Sequence, residues 1–414
     1  MPPSLRPRVY WLTEEFFPPE MGGTGVVAAS LSQGIAARDV ETHVITRQTE
    51  PPSSPREQIG SVDVRRISPA GRLKGAGWKA FPLMLIYLTR LFVLLMTEAR
   101  RYDIVFASGM KIIPLVAVPV CRLVGKKCIV RLESPFELVE PISAEALGTM
   151  GRGGRLVTRM LQWFQRAAVR RAHRVVAISQ EIEDRLLASG VAPERIVRIS
   201  NAVDMNKYRP VLPQERRALR VRLQIPENRT IVLFVGRLSR AKGVMLLIEA
   251  WPQIAARHPE LCLVMVGSGE GSWDDCETQV REHVRMHSVE QSVIFAGRSE
   301  RAWEYMQAAD VFLFPSEYEG FALTVAEALS SALPSVITTV GAAPELIQHG
   351  RNGFLFPPKD QRAMIDAFEE CLAARDHWES IGYCARQAML PYDLARVLDT
   401  YAQMCRSLRS DSRS

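Results

Sequence analysis

The sequence predicts an α/β protein made of two consecutive parallel-sheet domains, and three observations carry that prediction. Its 414 residues exceed a single domain of roughly 150, which points to two or three. Short β-type apolar runs alternate with helically spaced segments along the first half, and the same rhythm restarts in the second. A charged fraction of 23% beside 47% hydrophobic residues is ordinary for a globular chain, so disordered, collagen-like and disulfide-scaffold classes are excluded.

In the first half the strand candidates are RVYWL from Arg8, THVIT from Thr42, DIVFAS from Asp103, CIVRLE from Cys128 and RVVAIS from Arg174. Gly25 to Ala37 and Ala80 to Met96 have helical spacing between them, which is the βαβ pattern. The second half offers TIVLFVGR from Thr230, LCLVMVGSG from Leu261, SVIFAGR from Ser292, DVFLFPS from Asp310 and LPSVITT from Leu333. A seam is expected over Asn201 to Ile225, where Pro210 and Pro213 interrupt a charged stretch. The expected domains are 1–208 and 209–389, with 390–414 a C-terminal helix. Ligands of open parallel sheets bind beyond the carboxyl ends of strands, so two such sheets facing each other are expected to form an interdomain cleft.

Residues 1–208 hold 29 basic and 19 acidic side chains, leaving 23 and 26 for the rest, so the basic excess belongs to the first half. Arg65 to Arg101 carries eight Lys or Arg against Glu98 alone and brackets the apolar Ala80 to Met96 run. Two readings stand: an interior helix with solvated ends, or a peripheral contact with an anionic membrane. Arg90 interrupts the run, which falls short of the roughly 20 residues a spanning helix needs. Seven scattered cysteines without a CxxC pair point to a reducing compartment. The opening MPPSLRPRVYWLTEE lacks a signal-peptide core, so the expected location is cytoplasmic, with any membrane contact at the inner face.

The most informative stretch is DVFLFPSEYEGFALTVAEALSSALPSVIT. A buried strand ends at Pro315, a loop presents Glu317 and Glu319, and Gly320 opens a helix containing Glu327. Backbone N–H groups of Gly320, Phe321, Ala322 and Leu323 at such a helix start suit phosphate oxygens. FVGRLSRAKG delivers Arg237 at another strand end and Lys242 five residues later. Fixed cations and helix-end amides stabilise the charge that gathers on a departing diphosphate. Taken singly, a cation near a strand end is ordinarily a surface ion-pair residue, and Glu319 could merely cap its helix.

Together, GR-x4-KG, EGF[AG]L-x3-EA and G-x2-PE-L-I resemble the retaining glycosyltransferases of family four, which have the GT-B fold. Here they are Gly236-Arg237 with Lys242-Gly243, Glu319 to Ala328, and Gly341 to Ile347, with further matches from FPPEMGGTG through VVAIS and ISNAVD to NGFLF. The resemblance implies two Rossmann-like domains, an N-terminal one for the acceptor and a C-terminal one for the donor. It implies a C-terminal helix packed back on the first domain. Arg237 and Lys242 would hold the diphosphate of a UDP- or GDP-sugar, Glu327 the ribose hydroxyls, and Glu319 would face the donor sugar. The amides of Phe321 to Leu323 would complete the phosphate cradle. Gly22 and Gly23 would bring backbone against phosphate or sugar, and Gly297 and Arg298 would flank the base. The acceptor would be a hydroxyl of a glycan or a lipid-linked molecule. No cofactor is implied, and without a DxD pair after a strand no catalytic metal is expected.

One departure concerns the acceptor side, where relatives carry histidines and this chain has Glu133 or Ser134 in IVRLES, and Phe106 or Ser108 in DIVFASG. Glu133 either takes over contact with a hydroxyl, as a second catalytic carboxylate beside Glu319, or pairs with Arg131. The missing histidines leave an alternative, a nucleotide-sugar-binding protein without catalysis. A nicotinamide enzyme fits poorly, because the third glycine of LCLVMVGSGEG is one position early for GxGxxG and no acidic ribose partner follows the next strand. His283 and His287, four apart, read as a surface helix, since no third ligand accompanies them.

Overall fold

The apolar β-type runs fold as strands. A computed structural model describes residues 6–14, 16, 23–48, 54–68, 80–108, 112–134, 151–270, 272 and 274–410. It divides into unit one, Met1–Asn201 with Ala395–Ser414, and unit two, Ala202–Leu394.

The strands of unit one are β1 (Arg8–Leu12), β2 (Glu41–Arg47), β3 (Arg56–Ile59), β4 (Val62–Ile67), β5 (Ile104–Ser108), β6 (Lys127–Arg131), β7 (Arg174–Ala177) and β8 (Ile196–Arg198). They form one sheet in the order β3-β4-β2-β1-β5-β6-β7-β8. All neighbours are parallel except β3, which turns back on β4 at the edge. Trp11 lies opposite Phe106 in the β1–β5 register, and their rings stack at 4.0 Å. Helices α1 (Gly23–Ala36), α2 (Ala80–Thr97), α3 (Ile113–Leu123), α4 (Gly151–Arg171) and α5 (Gln180–Ala188) link these strands.

Unit two contains β9 (Thr230–Val235), β10 (Leu261–Val266), β11 (Val293–Gly297), β12 (Val311–Phe314), β13 (Ser335–Thr338) and β14 (Phe354–Phe356). Their order, β11-β10-β9-β12-β13-β14, is wholly parallel. Every residue of β9, β10 and β12 is buried, as expected of parallel strands covered on both faces. The helices are α6 (Pro213–Arg222), α7 (Val244–Arg257), α8 (Glu277–Met286), α9 (Ala302–Ala308), α10 (Leu323–Ser330), α11 (Ala343–Leu346), α12 (Gln361–Ala373) and α13 (Trp378–Met389). Beyond β9 the chain turns towards β10, and beyond β12 towards β13, so the direction of winding reverses between these two neighbours. That reversal leaves a crevice at their carboxyl ends.

The later part of the expected seam is helix rather than linker. Pro213 sits in the first turn of α6, where its missing N–H costs nothing. Arg220 anchors the helix through Asp310 at 2.7 Å and the Ala308 carbonyl at 2.9 Å. The last helix, α14 (Leu394–Ser410), belongs to unit one. Its Leu398 lies against Gly34, its Asp399 pairs with Arg38 at 2.6 Å, and its Tyr401 ring meets Phe106 at 5.8 Å.

Candidate active site

Arg237 follows β9 and is exposed, with Nη1 placed 3.5 Å from the Ser272 hydroxyl. Ser272 donates to Asp274 Oδ1 at 2.6 Å, and Asp274 Oδ2 accepts the Ala241 N–H at 2.9 Å. Burial alone would raise the Asp274 carboxyl. The Ser272 and Ala241 hydrogen bonds, with the Arg237 charge, hold it below the usual aspartate range.

The Arg240–Lys242 turn places Lys242 Nζ 2.5 Å from Glu319 Oε1, and Ser316 Oγ lies 2.8 Å from the same oxygen. The Glu317 N–H donates to the Ala241 carbonyl at 3.0 Å, tying the β9 loop to the β12 loop. Lys242 is 20% and Glu319 12% exposed at the side chain, so each keeps a face open to a ligand. An ammonium has three donors, and Glu319 takes one.

Backbone contact sets this spacing. Gly243 has φ +68°, and a Cβ there would lie 1.8 Å from the Pro315 carbonyl oxygen. Gly341, at φ +57°, would bring a Cβ to 2.7 Å from the Glu319 carbonyl oxygen. Gly243→Ala is therefore expected to destabilise unit two by about 2–4 kcal/mol and displace Lys242. Chemical denaturation of the variant checks this, and an unchanged midpoint would contradict the packing argument.

Helix α10 begins at Ala322, whose left-handed φ of 61° is uncommon for a residue with a Cβ. No side chain caps this end; the Val325 N–H closes onto the Ala322 carbonyl at 3.0 Å, so the Leu323 and Thr324 amides lie ahead of the first intrahelical bond. Gly320 lies in the loop before it, while the Phe321 side chain is buried 5.9 Å from the Tyr392 ring. Glu327, a turn further along, lies beside the Tyr208 hydroxyl. Burial pushes its carboxyl up to about 7, against the opposing pull of Tyr208 and the Lys207 charge.

Gly297 ends β11 with φ +68°, its carbonyl accepting the Gly267 N–H at 2.8 Å, and Arg298 beside it is exposed. The glycine-rich loop after β10 is engaged internally: the Gly269 N–H and the Ser268 hydroxyl both donate to Glu277 Oε2, at 2.9 and 3.1 Å. His283 and His287 stack on one another at 4.0 Å between ring centroids.

In unit one, Glu133 is 5% exposed and paired with Arg131, whose side chain is wholly buried. Ser108 donates to Glu133 at 3.0 Å. Arg131 also donates to the Asn201 amide oxygen and, at 3.0 Å, to the Tyr401 hydroxyl. Ser108 and Glu133, each one of the two residues weighed at an expected histidine position, are thus bonded to each other. Phe106 lies in the core under Trp11. Gly23 opens α1 in open space, and Gly22 lies outside the described residues.

The structure thus gathers Lys242 with Glu319, and Arg237 with a serine–aspartate pair that sequence reasoning missed. Asp274 carries one signal, a position in SWDD after a glycine loop at a strand end. Tyr208 and Lys207 are the other omissions, and lie in the seam read as mere connection.

Two open parallel α/β units in one chain, with cationic and acidic groups at the switch point of the second, have the GT-B architecture. The crystal structure of Anabaena HepE in complex with UDP superposes with a TM-score of 0.73 at 20% identity, over 97% of this chain and all (100%) of that one. Sucrose-phosphate synthase from Thermosynechococcus elongatus gives 0.76 at 20% identity, over 98% and 100%. The family model described as glycosyl transferases group 1 matches residues 215–388, and that described as glycosyl transferase 4-like domain matches 22–202. The chain belongs to family four of the glycosyltransferases. Alpha-maltose-1-phosphate synthase of Mycolicibacterium smegmatis is 30% identical over 61% of this chain and 65% of its own length, just short of two thirds. A D-inositol 3-phosphate glycosyltransferase of Xylanimonas cellulosilytica is 28% identical over 97% of this chain and 98% of its own.

Proposed function

We propose that this protein transfers a hexose from a UDP- or GDP-sugar to a hydroxyl of a glycan or lipid-linked acceptor, retaining the anomeric configuration. The observation that carries this reading is the Lys242–Glu319 pair at the switch point between β9 and β12, with Arg237 following β9. The names of the relatives, and the UDP bound to HepE, support a nucleotide-sugar donor.

Arg237 and Lys242 clasp the diphosphate, joined by the free amides from Gly320 to Leu323. Gly22 and Gly23 approach phosphate or sugar, and Gly297 with Arg298 borders the base. The bond from the anomeric carbon to the diphosphate oxygen breaks, and its electron pair leaves with the diphosphate. The acceptor oxygen attacks on the same face, and its proton passes to the departing diphosphate oxygen. Lys242 offsets the charge gathered there, while Glu319 steadies positive charge at the anomeric carbon. Glu133 acts on the acceptor side by holding the end of β6 through Arg131 and Ser108.

Glu327 accepts hydrogen bonds from the ribose hydroxyls. This requires its ionised form, and one unit below its value of about 7 only about a tenth is ionised. Affinity for an intact nucleotide sugar, whose diphosphate does not titrate here, is therefore expected to rise from pH 6 to pH 8. Calorimetry at both pH values checks this, and Glu327→Gln should remove the pH dependence. In stability the sign is opposite. A raised carboxyl favours the folded state at low pH, and that contribution is lost as pH rises from the ordinary glutamate range to about 7.

A panel of nucleotide sugars tested by thermal shift and by turnover decides the reading. Neither binding nor transfer with any donor would sink it, and binding without turnover would mark a non-catalytic binder. Peripheral membrane contact through residues 65–101 is part of the same proposal.

A further inference from the structure

Two helices of unit one turn large apolar side chains outward. On α2, Leu85, Ile86, Phe92 and Val93 are 56%, 44%, 44% and 51% exposed. They share one side of the helix, away from the buried Tyr87, Leu91, Leu94 and Leu95. On α4, Met160, Trp163 and Phe164 are 52%, 64% and 50% exposed, at the spacing that puts residues side by side. Single exposed apolar residues are ordinary, whereas stripes on related helices mark an interaction surface. Helix α2 packs on α3 and α3 on α4, so both stripes belong to one helical layer.

Charge identifies what covers this layer. The sequence of α4 holds six arginines and no acidic residue, and that of α2 holds Arg90 as its one charge. Of the basic residues flanking α2, Arg65 before it and Arg101 after it pair with Glu98, and the buried Arg66 pairs with Glu57. On α4 the described side chains of Arg159, Arg170 and Arg171 are exposed, and they supply the attraction. A second copy related by a two-fold axis would set like charges against each other. An anionic lipid surface accepts arginine at its headgroups and an indole at its interface. Among the described residues, no helix is long and apolar enough to cross a membrane.

We propose that α2 and α4 dock unit one on an anionic lipid surface, with Trp163 and Phe164 at the interface and the α4 arginines against the headgroups. This deepens the peripheral contact in the functional reading by assigning its surface and its lipid chemistry.

The test is flotation of the full chain with vesicles of phosphatidylcholine alone or mixed with phosphatidylglycerol. Binding is expected with the anionic vesicles only and should weaken in 1 M salt, where charges are screened within about 3 Å. Trp163→Ser with Phe164→Ser is expected to lower that binding at least about tenfold. The Phe92→Ser, Val93→Ser pair should lower it too, with circular dichroism and turnover on a soluble acceptor unchanged in both. Equal binding to neutral vesicles overturns the proposal. So does wild-type binding by the Trp163/Phe164 variant, or a dimer that the variant dissolves in a chain that ignores vesicles. Loss of turnover with vesicle binding intact would instead count against the transferase reading alone.

Discussion

Lys242→Ala is expected to lower kcat/KM for the nucleotide sugar by about 100- to 1000-fold, the usual loss when one preorganised charge donor at a departing anion is removed. The ammonium is held 2.5 Å from Glu319 by a turn that packs backbone to backbone on Pro315. Removing it also leaves Glu319, at 12% exposure, without its counter-charge. The double variant with Glu319→Ala should consequently lose much less than the sum of the two single losses. Steady-state kinetics on all three proteins checks this, and a Lys242→Ala enzyme within threefold of wild type would refute the placement of the diphosphate. Lys242→Arg should not rescue, because a planar fork does not fill the place of a compact ammonium.

The second large effect is on folding. Arg131→Met is expected to destabilise unit one by about 3–5 kcal/mol, the cost of leaving a buried carboxylate without its partner. The guanidinium is wholly buried and satisfies Glu133, Asn201 and Tyr401 together. Replacing both charges, Arg131→Met with Glu133→Leu, should recover most of the loss, since an apolar pair avoids the desolvation penalty. Urea unfolding checks this through probes in unit one, because a chain of two units need not unfold in a single step. The double variant also tests Glu133. Turnover retained by a stable Arg131→Met, Glu133→Leu protein would limit that carboxylate to a structural task, and turnover lost would make it part of the chemistry.

Much of the fold was legible because the sheets are made of uninterrupted apolar runs. TIVLFVGR and LCLVMVGSG could be nothing but interior strands, and both are buried throughout β9 and β10. The edge hairpin Arg56–Ile67 was not legible, since REQI is polar and VDVRRI has only Val62 and Val64 in alternation before two arginines, one of them paired with Glu57. At the candidate site, sequence placed Arg237, Lys242 and Glu319 on the correct strand ends. It gave no sign that Lys242 and Glu319 meet, because ion pairing depends on side-chain direction across 77 positions of chain. Tyr208 was invisible for a similar reason: its link to Glu327 is made by the fold of a connecting segment. Arg131 with Glu133 was the exception: the two lie two residues apart where β6 ends, close enough in sequence for the pairing to be read as one of two alternatives.

The return of α14 to unit one makes unit two an insertion within its neighbour, entered after Asn201 and left after Leu394. Order of synthesis then acquires meaning. The strands of the first sheet are made before unit two, yet the tyrosine that completes the shell around Arg131 is made after it. Chains cut short just after Leu394 would hold a fully encoded second unit beside an unfinished first one, leaving Leu398, Met404, Cys405 and Leu408 missing from its interior. Such copies would leave bare the apolar seam that α14 otherwise covers.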